Sequence, residues 1–411
     1  MESKKFLTNK KGSFIVLAVM IFTALLILIF AVIKVSLDTA LNSTVNSLGI
    51  LWGKSILGEY DLFLKDRYGI LGFCGDNYSV EEKLDFYSQY SFAKKKYVKV
   101  NSIRASVEDY RLDDLEEFKA QIGEIVMHGI KPVKYKDLDS KNTQDSDRYI
   151  NSLWIKENLP SFGKAERFYL AEIVSKIKSG IKAEDMINEI ATDKYILDFF
   201  KTCIHEIDLG KTYFNCEVEY IVSGKLSDKE SKKDVKNKIT NMRNLLNLYY
   251  LYSCPEKRQA IFALAETVTP GPAAILTQSV MMETWAYLEA ENDVNILYDK
   301  GTVPLLKKDC NWALSLENVF NSNGEVKDDK DSADKKQYIS PQTVEGEDYL
   351  SYLSLLLCGL TEQTKLLRIM DLIQINGKYL YCGSFLIKDY CFGLEYIIKV
   401  NGNEHKFKEI Y

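Results

Sequence analysis

The run Phe14–Ile33 constrains this chain more than any other feature: twenty residues in which Thr23 is the only polar side chain. As a helix rising 1.5 Å per residue, such a run covers about 30 Å, the thickness of a bilayer's hydrocarbon core. A secretory signal has an apolar centre of only about 7–15 residues followed by a small-residue cleavage site. No Ala-x-Ala motif ends this run, so the sequence predicts a retained membrane span. Lys4, Lys5, Lys10 and Lys11 precede it, whereas Lys34 and then Asp38 follow. That asymmetry places residues 1–12 in the cytoplasm, 13–34 in the membrane and everything after about residue 35 outside it.

The helix is expected to continue past the membrane. Leu37, Leu41, Val45, Leu48 and Leu51 recur every three or four residues, with Asp38, Asn42, Asn46 and Ser47 off the stripe. This is one apolar face of an amphipathic stalk, assigned to residues 35–73, whose end Gly49 and Gly53 weaken. A stripe this apolar must pack on something. Either the chain's own domain covers it, as in an ordinary single-pass anchor, or other membrane-anchored subunits do, as in pilin-like proteins.

The rest of the chain, 74–411, reads as one helix-rich domain. With 46% hydrophobic residues it has material for a packed core. The net charge of −5, from 53 basic and 58 acidic residues with no basic stripe, gives no nucleic-acid footprint. The pattern "YVKVNSIRASVEDYRL" predicts a strand, and "LDDLEEFKAQIGEIVMHGI" a helix. Residues 136–148 read as an exposed loop, 164–208 as helical, and "NCEVEYIVSGK" as a strand. Ser227 with Glu230 forms a capping-box signature ahead of a helix whose buried face is Val235, Ile239, Met242, Leu246 and Tyr249. Pro255 and Pro272 are each placed in the first turn of a helix. Residues 321–337 form a charged loop without the glycine and terminal Glu of a calcium-binding loop. Residues 346–374 are helical, and two alternating runs around Asn401-Gly402-Asn403 predict a C-terminal hairpin. The expected fold class is therefore α+β: a transmembrane helix continuing into a stalk helix, then a helix-rich extracytoplasmic domain with antiparallel strands and a final hairpin.

Chemistry is sparse. His128, His205 and His405 lie in no metal spacing, and the eight cysteines contain no CxxC pair. Free thiols are expected ahead of disulfides. No nucleophile elbow, phosphate loop or transpeptidase motif occurs, so no catalytic, cofactor-binding or metal-ligating residue is predicted, and no cofactor or small-molecule substrate. The one acidic candidate is Glu289 with Asp293, four apart on a partly apolar helical face beside Ala286 and Leu297. Such a pair can serve as an acid/base couple or a cation site, but more commonly binds a neighbouring lysine or backbone amides. Trp285 and Trp312 read as core aromatics in preference to a sugar platform.

The opening "KKGSFIVLAV", then "GEYDLFLKDRYGILGF", "EVEYIVSGKLSDKESKKDVKNKI", "EKRQAIFALAE", "TWAYLEAENDVNILYDKGTVPLLKKDCNWALSL" and "DYLSYLSLLLCGLTEQTKLLRIMDLIQIN" resemble an uncharacterised family of TadE/TadG-like membrane-anchored proteins of Gram-positive anaerobes. The likeness covers nearly the whole chain. It implies association with a Tad (Flp) type IV pilus or related surface-secretion machinery, with other subunits as partners through the N-terminal helix. A prepilin cleaved between Gly12 and Ser13 would carry Glu at its fifth mature position, where this chain has Leu17. The departure favours a minor, membrane-retained, non-enzymatic accessory over a bulk filament subunit. The resemblance to pilin-like subunits also leads us to expect that Leu37, Leu41, Val45 and Leu48 are kept for neighbouring subunits. The alternatives are a membrane-tethered surface enzyme using Glu289 and Asp293, or an adhesin.

Overall fold

The computed structural model describes residues 10–95, 97–133, 157–164, 167–179, 191–204, 210–320, 338–341 and 345–411. The expected loop at 136–148, the charged loop at 321–337 and His205 lie outside them. The fold is α+β. Two compact units are woven from one chain, the first from residues 1–60, 73–111 and 391–411, the second from 61–72 and 112–390.

In the first unit, helix α1 (Lys10–Leu57) runs unbroken for 48 residues, about 70 Å. Its first part is long and apolar enough to cross a membrane, and none of that window is buried. The lone hydroxyl there, Thr23, donates back to the Met20 carbonyl at 2.9 Å, so no polar group in the span lacks a local partner. Past residue 40 the same helix becomes a structural member of the unit. It packs on a three-stranded antiparallel sheet of β1 (Val100–Ser106), β2 (Gly393–Val400) and β3 (Asn403–Ile410), with β2 central. Leu394, Tyr396, Ile398 and Val400 alternate inward along β2 and share a core with Val45, Trp52, Ile56 and Phe407.

Gly49 and Gly53, read above as helix weakeners, have a different role. A Cβ on Gly49 would lie 2.1 Å from the Phe407 ring, and one on Gly53 would lie 2.6 Å from Glu409 Cγ. They are where β3 comes closest to the helix, and Tyr396 Oη donates to the Gly49 carbonyl. The helix persists through them because packing outweighs the roughly 1 kcal/mol propensity loss of each glycine. The off-stripe asparagines face the hairpin: Asn46 Oδ1 lies 2.8 Å from His405 Nδ1, and Asn403 Nδ2 donates to Asn42 Oδ1 at 3.4 Å.

The hairpin forms as expected. Val400 pairs with Asn403, and Asn401 (φ 49°) and Gly402 (φ 89°) both take the left-handed conformation that a two-residue turn of this twist demands. Asn401 also accepts from Lys99 N at 2.8 Å, tying the turn to the residue before β1. Helix α3 (Asn77–Phe92) starts at a reciprocal Asp76–Ser79 capping box and adds Val80, Leu84 and Phe92 to the same core.

The second unit is helical: α2 (Leu62–Tyr68), α4 (Leu115–Met127), α5 (Leu170–Lys178), α6 (Ala191–Phe199), α7 (Glu217–Ser223), α8 (Asp228–Ser253), α9 (Pro255–Val268), α10 (Ala274–Tyr298), α11 (Leu316–Val319), α12 (Tyr349–Cys358) and α13 (Glu362–Leu380). Every residue of α13 from Thr364 to Lys378 is buried. Its polar side chains therefore need partners, and they find them in distant segments. Lys365 pairs with Asp193 at 2.5 Å, Arg368 donates to Ile221 O at 2.6 Å, and Gln374 donates to Asn158 O at 2.8 Å. Helix α10 packs on α8 and α9, and Trp285 and Trp312 meet edge to face in that core at 5.3 Å.

Several local expectations need correction. The segment "EVEYIVS" is helix α7, not a strand: all seven residues are buried, and a short apolar run buried on every side carries no period to separate strand from helix. It ends where Gly224 adopts φ 69°. Ser227 does precede α8, but its side chain makes no capping bond; Ser231 Oγ instead donates to Lys225 O at 2.7 Å. Tyr249 is exposed, with Lys178 Nζ 4.6 Å from its ring centre, while Asn247 and Leu251 complete the buried face. Pro255 opens α9, whereas Pro272 sits two residues ahead of α10. The helix expected over 346–374 is interrupted between α12 and α13 at Gly359, where a Cβ would lie 2.6 Å from Ile173.

Candidate functional site

Of the expected stripe, Val45 is fully buried and Leu41 and Leu48 are packed against the same core, while Leu37 remains 63% exposed. The chain's own sheet thus covers three of the four positions expected to await other subunits. The cause is the glycine pair: a side chain at 49 would hold β3 away from the helix. Gly12 and Ser13 lie at the start of α1.

Glu289 and Asp293 are brought together on α10 as their spacing implies, and both are buried, 0% and 1% exposed. They do not face a cleft. Lys307, from the segment after α10, reaches between them: its Nζ pairs with Glu289 Oε1 and lies 2.6 Å from Asp293 Oδ1. Glu289 also accepts from the backbone N–H groups of Ala313 and Leu314, each at 2.8 Å. On the other side Arg243 of α8 donates through Nε to Asp293 Oδ2 at 3.0 Å. Its remaining nitrogens donate to Pro304 O, Leu305 O and Asn247 Oδ1 at 2.9, 2.7 and 2.8 Å.

Two carboxylates face two cations, so the formal charges cancel, and the hydrogen bonds clamp the chain from Pro304 to Leu314 onto α8 and α10. Burial still pushes the Glu289 carboxyl up against the opposing pull of Lys307. Both Glu289 oxygens are committed to Lys307 and two amides, and Asp293 is held between Lys307 and Arg243. The pair the sequence singled out for acid/base chemistry is thus a clamp on the fold. Arg243 and Lys307 carried no signal of this role, because a basic residue bound for the interior looks like any other in sequence.

A second buried polar cluster, unforeseen in the sequence, joins α7 to α13. Asn376 donates to Glu217 Oε1 at 2.7 Å and to Tyr68 Oη at 3.0 Å, and Lys201 N donates to Glu217 Oε2 at 3.0 Å. Glu219 accepts through Oε1 from Cys203 N at 2.9 Å and Tyr349 Oη at 2.8 Å, and burial pushes its carboxyl up to about 7. Asp371 accepts from Ser161 N at 3.0 Å and Tyr220 Oη at 2.8 Å. Burial nevertheless raises it from 3.8 to about 6.

A native carboxyl that titrates above its unfolded counterpart binds more protons in the folded state, so stability falls as pH rises between the two values. For Asp371 that window runs from 3.8 to about 6. The shift corresponds to about 3 kcal/mol. Urea titrations across pH 3.5–7 should show the wild type losing about that much relative to Asp371→Asn. Parallel curves for the two proteins would mean that Asp371 does not titrate this way.

Cys203 and Cys216 form a disulfide, Cα atoms 4.7 Å apart, the alternative that the sequence ranks behind free thiols. His128 sits on the surface beside Glu124, and His405 is held by Asn46. Trp285 Nε1 donates to Leu314 O at 3.0 Å, which fixes it in the core role expected of it.

The fold and its clamps define an α+β protein with one N-terminal helix long enough to span a membrane and an ion-bonded helical unit. Residues 117–402 match a protein family described as a family of unknown function (DUF5702), and the chain belongs to that family. No curated protein and no solved structure matches it.

Proposed function

We propose that the protein is a non-enzymatic, single-pass membrane accessory of a Tad (Flp)-type pilus or related surface-secretion apparatus, a minor pseudopilin-like component with its N-terminus in the cytoplasm. One observation carries the reading: α1 is a single helix that is bare and apolar over Phe14–Ile33 and then becomes part of a sheet-packed core from Leu41 to Leu57. Anchor and external unit therefore share one rigid element, the layout implied by the resemblance to TadE/TadG-like proteins. Four lysines ahead of the span support the orientation. Leu17 in place of an acidic residue supports a role other than bulk filament subunit. Leu37 and the exposed faces of the span are left as the lateral contact surface for other membrane-anchored subunits.

The enzyme alternative rested on Glu289 and Asp293, and the commitment of their oxygens removes that support. Deletion of the gene is expected to abolish or sharply reduce surface fibres or secreted cargo while the major subunit is still made. A copy in which residues 14–33 are replaced by an unrelated apolar span should reach the membrane without restoring either. Normal fibres and normal secretion in the deletion strain would overturn the reading.

A further inference from the structure

Beside the Cys203–Cys216 bridge lies a carboxylate oxygen with nothing to bind. Glu219 is fully buried, and while its Oε1 takes two hydrogen bonds, its Oε2 takes none. A buried polar atom left unsatisfied is costly and calls for an explanation. The two sulfurs and a Glu219 oxygen all lie within 4.8 Å of one another. Cys216 is the residue before α7 and Glu219 lies on its first turn, so one backbone segment presents both; Cys203 comes from the irregular segment after α6. Cys216 is 7% exposed and Cys203 is half-buried, so the group is closed on one side and reachable from the other.

We propose that the reduced form of this group, the thiolates of Cys203 and Cys216 with the Glu219 carboxylate, is a binding site for a thiophilic divalent cation such as Zn²⁺, and that the disulfide is its closed, metal-excluding state. Two sulfurs and one oxygen make a three-ligand set for a tetrahedral ion, with water at the fourth position on the Cys203 side. The chemistry balances with a dithiol reductant. Its two thiols reduce the S–S bond to two cysteine thiols and it leaves as its own cyclic disulfide; metal binding then releases the two cysteine protons to solvent. Sulfurs sharing one Zn²⁺ stand about 3.7 Å apart, against about 2 Å in a bridge. Opening therefore moves them apart by less than 2 Å, roughly the space a bound ion takes up. The ion would also satisfy Glu219 Oε2, which the disulfide form leaves bare.

The test uses the full chain in detergent, with and without dithiothreitol treatment, exposed to Zn²⁺ and then desalted. We expect reduced protein to retain one more zinc per chain than either oxidised protein or the reduced Cys203→Ser/Cys216→Ser variant. Glu219→Gln should weaken retention at least tenfold. Wild-type protein alone gives an independent readout that needs no variant to fold. With zinc present, Cys203 and Cys216 should be protected from iodoacetamide while labelling of the other six cysteines is unchanged. Co²⁺ in place of Zn²⁺ should show the thiolate charge-transfer absorption of a tetrahedral site. Retention by the double serine variant equal to wild type, or no zinc-dependent protection of these two cysteines, would overturn the assignment.

Discussion

Gly49→Ala should destabilise the protein, by at least 1–3 kcal/mol, although alanine is the better helix former by about 1 kcal/mol. The sign is the informative part. At an exposed helical site the substitution stabilises, but here the new methyl would sit 2.1 Å from the Phe407 ring. That ring cannot simply swing away, since it stacks on Tyr396 at 5.0 Å inside the same core. Gly49→Ala/Phe407→Leu should recover part of the loss, giving a coupling of 1–3 kcal/mol by double-mutant cycle. Gly53→Ala should be milder, because its closest neighbour is the side chain of Glu409, which can shift toward solvent. Denaturation in detergent of the full chain as wild type, Gly49→Ala, Phe407→Leu, the double variant and Gly53→Ala measures all five proteins. A Gly49→Ala protein more stable than wild type would mean that helix and strand do not approach as described. Val45→Asp belongs to the same argument: it buries an unpaired charge at a fully buried position and should unfold the first unit.

Lys307→Met is expected to cost about 3–5 kcal/mol, the usual penalty for breaking a buried ion pair by removing one partner. Without Lys307, Glu289 keeps two amide donors but no cation, and Asp293 retains Arg243 as its one cation with Asn247 Nδ2 donating beside it at 3.2 Å. Burial already raises the Glu289 carboxyl, and losing the lysine removes the main opposing influence. The folded value then lies further above the unfolded one, so stability drops as pH rises through that interval. The deficit of Lys307→Met should accordingly be larger at pH 8 than at pH 5. Lys307→Met/Glu289→Gln should be more stable than Lys307→Met alone, since the uncompensated charge is gone. A Lys307→Met protein within about 1 kcal/mol of wild type at pH 8 would show that the clamp contributes little.

Much of the organisation is legible in the residue order because it rests on short-range physics. That Phe14–Ile33 is long and apolar enough to cross a membrane needs only a count of apolar residues, and the α1 stripe only its spacing. The turn at Asn401-Gly402 needs only two residues that tolerate positive φ. The start of α8 after Ser227 and the opening of α9 at Pro255 are also local, although the Ser227 side chain makes no capping bond. The segment "EVEYIVS" marks the limit. Its alternation resembles a strand, yet it is enclosed on all sides, and enclosure is a property of its neighbours.

The candidate chemistry divides the same way. Sequence alone determined that Glu289 and Asp293 share a helical face, because a spacing of four does so on any helix. Only the tertiary structure decided that Lys307 and Arg243 would close on them and make the pair a clamp. Sequence alone determined that α1 carries an apolar stripe; only the approach of β3 decided what covers it, and turned two apparent helix breakers into the point of contact. Cys203, Cys216 and Glu219 match no ligand spacing, and their proximity follows from the hydrogen bonds that hold residues 201–203, after α6, against the first turn of α7. The physical reason is common to all three: periodicity and propensity act within a few residues, whereas the partner of a buried charge, a glycine or a thiol is supplied by whatever the fold brings from elsewhere in the chain.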